Sequence, residues 1–307
     1  MRVSFHGVRG SIPTPGPQTA RYGGNTCCVC VQGRAGSVLL LDAGTGIRRM
    51  TGPCGLGGRR VDLLLTHLHA DHIQGLGFFD PLYEPGAEVH LWGPGGPSID
   101  LRGQLARYLS PPLFPLHLRE LPCRLAIHDV ARGEFEIAEF RVTAQPVLHP
   151  GPTVGYRVED GESSVAYLPD HEPALGMRAL ELPVEWISGA AVALGADLLI
   201  HDSYYTPDEY ATRVGWGHSS LDDALRFAGR MACRRMAAFH YNPNHDDGML
   251  ERMLDESQSR VGGAVEPLLS VEGETLELGA GVDGRGPDRA AAERVGAASF
   301  GSGPEAQ

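Results

Sequence analysis

The stretch "LLLTHLHADHIQG" constrains this chain more than any other part of its sequence. An apolar run of strand length ends at Thr66, and His67, His69, Asp71 and His72 follow at once. In extended backbone, residues two apart point the same way, so His67 and His69 can grip one ion. Asp71 and His72 are adjacent. The chain must turn to use both, which aims them at a second position. Imidazole and carboxylate suit zinc and similar divalent ions. A lone histidine at a strand end is an ordinary polar cap. Three histidines and an aspartate packed into residues 67–72 exceed what solvation of a strand end requires.

Short apolar runs closed by Gly, Pro or Asp surround this motif. "SVLLLDAG", "RRVDLLLTH", "AEVHLWGP", "FEIAEFRVTAQPV", "TVGYRVEDG", "SSVAYLPD", "ADLLIHD" and "RRMAAFHY" predict strands. Helical spacing appears in "PSIDLRGQLARYL", in part of "MRALELPVEWISGAAVALG", in "SLDDALRFAGRMA" and in "GMLERMLDESQSRV". The two kinds of segment interleave over residues 1–278 without a linker, which predicts one domain. From residue 279 to 307 the chain turns to Gly, Ala, Ser and charge, too little apolar surface to fold, and a mobile tail is expected. Within residues 90–135, "LSPPLFPLHLRELP" carries too much proline for regular structure, and a lid or a dimer contact is expected there.

Composition excludes several partners. Of 307 residues 42% are hydrophobic, enough for a sizeable core, and the formal charge is −12. All 26 basic residues are arginine. An acidic surface disfavours broad nucleic-acid binding but leaves room for a local arginine pocket for one phosphate. The start "MRVSFHGVRG" lacks the apolar stretch of a signal peptide, and no apolar run reaches membrane-spanning length, so a cytoplasmic protein without membrane contact is expected. Six cysteines do not make a disulfide framework in a chain this long. Cys27 and Cys30 form a C-x-x-C inside "NTCCVCV" with no second pair, and read as small apolar residues alternating along a strand.

The motif H-x-H-x-D-H resembles that of the metallo-β-lactamase superfamily, and the resemblance extends over most of residues 1–245. It implies an α/β fold, the four-layer αββα sandwich, with metals at one edge of two packed sheets. Further ligands of that family come from strand ends downstream, and His149, Asp170 and His240 each follow an apolar run. By resemblance, His67, His69 and His149 hold one divalent ion, Asp71, His72 and His240 hold the other, and Asp170 bridges them. Zinc is the expected metal, with manganese and iron as alternatives. Position 170 is Asp where true β-lactamases commonly carry Cys, and position 69 is His where the diiron members carry Glu. Both departures favour a dinuclear hydrolase that is neither a lactamase nor a redox enzyme.

Within the superfamily the chain resembles the tRNA 3′-processing endonucleases (the RNase Z branch) and the related PhnP-like cyclic-phosphate phosphodiesterases. Those carry a histidine flanked by Gly and Ser between the bridging aspartate and the last histidine ligand, and "GWGHSS" puts His218 in that interval. The resemblance implies that His218 protonates the leaving group, with Asp202 of "LLIHDSYYT" as its carboxylate partner, while Asp71 orients a metal-bound hydroxide. For His218 alone a helix-capping loop is the other reading, with Ser219 or Ser220 as the cap. The opening "HGVRGSIPTPGPQTARYGGNTCCV" resembles the phosphate-contacting segment of the same branch, which nominates Arg21 and Asn25. His90, His117, His128 and His245 lack a ligand-like setting, and no spacing ties His6 or His171 to the site. Phe78, Phe79 and Trp216 are candidates for stacking on a base or for the core. Residues 150–169 leave no room for a long substrate-clamping arm. A small phosphodiester, cyclic ones included, is therefore the expected substrate, hydrolysed by a dinuclear phosphodiesterase. An RNA end, as in tRNA 3′ processing, and a thioester or lactone are the alternatives. A homodimer is what the resemblance implies.

Overall fold

The computed structural model describes residues 1–50, 60–130, 132–176, 178–263 and 265–279. The apolar runs form strands because β-branched and leucine-rich stretches pack well on a pleated surface. In chain order these are β1 (Arg2–Gly7), β2 (Cys28–Gln32), β3 (Val38–Leu41), β4 (Arg60–Leu64), β5 (Glu88–Gly93), β6 (Arg124–Asp129), β7 (Gly133–Ile137), β8 (Phe140–Pro146), β9 (Val154–Glu159), β10 (Ser164–Leu168), β11 (Leu198–Asp202), β12 (Arg235–Phe239), β13 (Glu266–Leu269) and β14 (Thr275–Glu277). They make two seven-stranded sheets, in the orders β14-β1-β2-β3-β4-β5-β6 and β13-β12-β11-β10-β9-β8-β7. The helices are α1 (Ala70–Ile73), α2 (Leu101–Tyr108), α3 (Ala190–Ala193), α4 (Pro207–Ala211), α5 (Leu221–Arg230) and α6 (Asp247–Val261).

Each sheet is antiparallel on one side and parallel on the other. Strands β3 to β6 run parallel, as do β10 to β13. Parallel strands covered on both faces read as unbroken apolar runs, and "DLLLTH" and "MAAFH" are of that kind. Val29, Val31, Leu39, Leu41 and Leu64 turn inward with Val142, Tyr156, Val158, Tyr167 and Phe239 of the second sheet. Cys28, Cys30, Leu40, Leu63 and Leu91 turn outward, under Leu101 and Leu105 of α2. Cys27 lies in the inner cluster and Cys30 in the outer one, so the C-x-x-C is an alternating strand segment, as expected, and cannot chelate one ion.

Polar ties lock the sheets together at one edge. Tyr156 donates its hydroxyl proton to the Leu65 carbonyl at 2.8 Å, Tyr167 donates to Asp42 at 2.9 Å, and Val154 N donates to the Thr66 carbonyl at 2.9 Å. That edge carries the carboxyl ends of β3, β4, β10, β11 and β12. In open α/β sheets such ends are where loops converge and ligands bind.

Several expected elements differ in detail. "FEIAEFRVTAQPV" is the hairpin β7–β8, turned at Ala138 with φ 50°. Among the described residues of "MRALELPVEWISGAAVALG" only α3 is α-helical, because Pro183 and the glycines interrupt the pattern. Strands β1, β6, β13 and β14 were not distinguished in the sequence. Residues 90–135, weighed as a lid or a dimer contact, carry the end of β5, α2 and the edge strand β6, with the proline-rich stretch between α2 and β6. Residues 280–307, nearly the whole expected tail, lie outside the described residues. β14 pairs with β1, so the far end of the folded segment returns to its start. Among the described residues no helix is long and apolar enough to cross a membrane.

Candidate metal centre

Strand β4 delivers the motif. After Thr66 the chain stays extended through His69, then turns into α1, whose first turn holds Asp71 and His72. His67, His69 and His149, with Asp170, place ligand atoms within 4.8 Å of one another. Two ligands on one zinc ion are at most about 4.4 Å apart, so this spread closes around an ion with small adjustments. Asp71 and His72 do turn toward a second position. Asp71 Oδ2 is 3.4 Å from His72 Nε2 and 3.0 Å from His240 Nε2. Asp170 Oδ2 lies 3.8 Å from His67 Nε2 and 3.5 Å from His149 Nε2, while its Oδ1 lies 2.9 Å from His72 and 3.3 Å from His240. One carboxylate thus faces both groups, the arrangement a bridging ligand needs. The seven residues expected as ligands lie together.

Orphaned atoms test whether metals fit. His67 Nε2, His72 Nε2 and Asp170 Oδ1, which face the cluster, are buried without hydrogen-bond partners. The 2.9 Å approach of His72 to Asp170 lacks hydrogen-bond geometry, as expected of two donors aimed at a common cation. Leaving such groups unpaired costs about 1–3 kcal/mol each, more if charged, which an ion would offset. Burial holds His67 well below its ordinary value, and His69 and His149 below theirs, so these rings are neutral and ready to bind. Burial opposes ionisation of Asp170, but His240, His72 and His67 around it hold the carboxyl well below the usual range. The donor set of imidazoles and carboxylates is one that zinc, manganese or iron accepts.

Outer partners fix these side chains. Asp42, at the end of β3, accepts from Thr66 N at 2.8 Å and Tyr167 at 2.9 Å, and sits 2.8 Å from His72 Nδ1, turning Nε2 of that ring inward. His149 Nδ1 donates to the Gly217 carbonyl at 2.8 Å, which frees its Nε2 for an ion. Ser11 N donates to Asp71 Oδ2 at 2.6 Å. Asp42 and His240 have φ 59°, a left-handed conformation that costs a non-glycine residue about 1–3 kcal/mol and persists where the surroundings force it.

His218 stands beside this cluster. Its Nδ1 is 2.7 Å from Asp202 Oδ2 and 3.9 Å from Asp170. Burial acts against its charge, but the Asp202 carboxylate, with Asp170 and Asp71 behind it, outweighs burial and raises the ring to about 9. Tyr204 stacks on His218 at 4.8 Å and shares a hydrogen bond with Ser11 at 3.0 Å. Asp202 also accepts from Tyr204 N and Ser219 N, so its carboxylate is fixed before it orients the histidine. Ser220 caps α5, the role weighed for this loop, and does so without engaging His218. Gly217 must be glycine. Its φ is +86°, and a Cβ there would sit 2.3 Å from Pro150 and 2.6 Å from His149 Nδ1.

The loop has an anchor the sequence did not reveal. Glu172, buried two residues after Asp170, accepts from Gly215 N and Gly217 N at 2.7 Å each and from the Tyr210 hydroxyl at 2.8 Å. Asp42 and Glu172 look in sequence like any acid after a strand.

Arg21 and Asn25, nominated as phosphate contacts, both pair with carboxylates in this structure. The Arg21 guanidinium pairs with Glu251 of α6, and its backbone N–H donates to Asp247. Asn25 gives its side-chain amide to Glu272 at 2.7 Å. The nearby Arg9 is fully buried and spends its guanidinium on the carbonyls of Gly23, Asn242 and His245. His171 also turns away from the cluster, bonded to His201 and Ser188. His6 is buried and contacts no cluster residue among the described hydrogen bonds. Phe79 is in the core, whereas Phe78 and Trp216 are exposed.

With the geometry established, comparison with known proteins identifies the scaffold. The family described as a beta-lactamase superfamily domain matches residues 38–241. A ribonuclease Z from Natronomonas pharaonis is 27% identical over 321 aligned positions, covering 91% of this chain and 98% of that protein. The metallo-beta-lactamase fold protein YhfI from Bacillus subtilis superposes with a TM-score of 0.66 at 18% identity, over 90% of this chain and 98% of its own. A diphosphatase of the PhnP family gives 0.60 at 21% identity, over 90% and 97% of the two chains. Those two likenesses establish the sandwich fold.

Proposed function

The chain belongs to the beta-lactamase superfamily, and from that premise we propose that it is a metal-dependent hydrolase of phosphodiesters with two divalent ions, acting on a small substrate. When bound, the ion pair supplies Lewis-acid polarisation of the phosphate and activation of water. The chain's own residues supply the rest. Asp71, tied to Ser11 N and beside His240, orients the nucleophile's side of the site. His218 holds a proton beside the cluster and gives it to the departing alkoxide, and Asp202 keeps the ring charged.

The observation that carries this reading is the 2.7 Å pairing of His218 with a buried carboxylate next to the metal ligands. A thiolate leaves without help, so a thioester hydrolase has little use for a proton donor; an alkoxide needs one, worth about 10²–10⁴-fold in rate. The ribonuclease Z relative supports phosphodiester chemistry. Strands β9 and β10 and their short turn occupy most of residues 150–169, which supports a small substrate over a clamped RNA.

Replacing His218 with Ala tests the reading on two substrates. An alkyl phosphodiester should slow by about 10²-fold or more, and an aryl diester with a good leaving group should slow little. Equal losses on both, or no turnover of any diester by the zinc- or manganese-loaded protein, would refute it.

A further inference from the structure

Cys27 has no part in the reading above, yet it sits against the second metal position. It immediately precedes β2, on the face that turns inward between the sheets, and is fully buried. Its Sγ lies with ligand nitrogens of His72 and His240 in a group whose atoms are all within 4.8 Å of one another. Two features mark this spot. His72 Nε2 is fully buried without a hydrogen-bond partner, and its ring is held in place from behind by Asp42. The thiol's own partner is weak, a 3.5 Å contact to the Arg9 carbonyl.

The distances match coordination chemistry. Zinc takes imidazole nitrogen at about 2.0–2.1 Å and thiolate sulfur at about 2.3 Å, so both fit on one ion when sulfur and nitrogen are about 4.4 Å apart or less. A tetrahedral ion holds such a sulfur and nitrogen about 3.6 Å apart, so closing a group whose atoms lie within 4.8 Å of one another takes a shift of up to about 1 Å. The neighbour Cys28 faces the outer core and cannot reach.

Resting on the reading of two metal positions, we propose that Cys27 is an additional protein ligand of the position formed by Asp71, His72 and His240, giving it one sulfur donor and a preference for softer ions. On coordination the sulfur–metal bond forms and the thiol proton passes to bulk water. Thiolate selects softer and borderline ions such as cadmium and zinc over manganese and magnesium. The other position, built from His67, His69 and His149, has no sulfur and stays harder, so the two positions differ in metal preference.

The test uses the full chain, stripped and reloaded with cobalt(II), as wild type, Cys27→Ser and Cys28→Ser. Wild type and Cys28→Ser should show a thiolate-to-cobalt charge-transfer band in the near ultraviolet, and Cys27→Ser should lose it while keeping the visible d–d bands. Competition of cadmium against manganese should show Cys27→Ser losing about tenfold or more of the cadmium preference. Should Cys27→Ser fail to fold, Cys27→Ala serves for the same comparison. The visible bands without a sulfur band in wild type would overturn the role of Cys27 and leave the metal centre standing. Absence of both sets of bands would overturn the metal centre itself, and the ligand role with it.

Discussion

Replacing Asp202 with Asn removes the charge that holds the His218 proton while keeping the side chain's size. The carboxylate lies 2.7 Å from Nδ1, and the ring, ordinarily near 6.5, stands at about 9. That rise is worth about 3 kcal/mol of preference for the imidazolium, at 1.36 kcal/mol per unit. Without Asp202, burial is the largest remaining influence and lowers the ring. Bound metal ions would add positive charge and lower both proteins, so the difference between them is the quantity to read. A general acid works while protonated, and activity falls as pH rises through its pKa. With values of 9 and 6.5, about nine-tenths of the wild-type donor and about 3% of the variant's is protonated at pH 8, a loss of about 30-fold there and little loss at pH 6. The assay is kcat against pH on an alkyl phosphodiester, with metal content and melting temperature checked alongside. The alkaline limb should move about 2.5 units to lower pH in the variant. An unmoved limb, or an equal loss at pH 6 and pH 8 in a fully metallated, folded variant, would refute the proton-donor account.

Other residues give separate tests. Asp42→Asn should weaken metal binding about 10–100-fold by freeing the His72 ring, read by calorimetric zinc titration. Glu172→Gln removes charge-assisted bonds to Gly215 and Gly217, each worth about 1.5–3 kcal/mol, and should lower the melting temperature and kcat with metal content unchanged. Arg21→Ala breaks an exposed pair with Glu251 and should leave kcat/KM within about twofold; a large loss would restore Arg21 as a phosphate contact. Burial holds His171 well below its ordinary value, so it is neutral in the fold and charged in the acid-unfolded chain. Its contribution is complete above pH 6.5 and shrinks as pH falls below that value, so chelator-treated protein should lose melting temperature there.

How far the site could be read in advance depended on sequence distance. His67, His69, Asp71 and His72 are legible because one strand end and one helical turn hold all four, and local backbone geometry suffices. His149, Asp170 and His240 lie far apart, and only their positions after apolar runs, together with the family resemblance, joined them to the motif. Asp42 and Glu172 escaped because an acid that braces a ligand carries no local mark; its meaning is its partner, His72 in one case and the glycine loop in the other. The pairings of Arg21 and Asn25 were illegible for the same reason. Their partners Glu251 and Glu272 arrive from α6 and the turn before β14. In the fold, the strongly apolar parallel strands were clear. The short β13 and β14 were not, since an edge strand of a few residues has no period to detect.

Anomalous X-ray diffraction from zinc-loaded crystals of the full chain tests the central claim most directly. Two peaks per chain are predicted, one among His67, His69 and His149 and the other among Asp71, His72 and His240, with Asp170 between them. No peak at this edge of the sheets, or ions bound only elsewhere, would contradict the account.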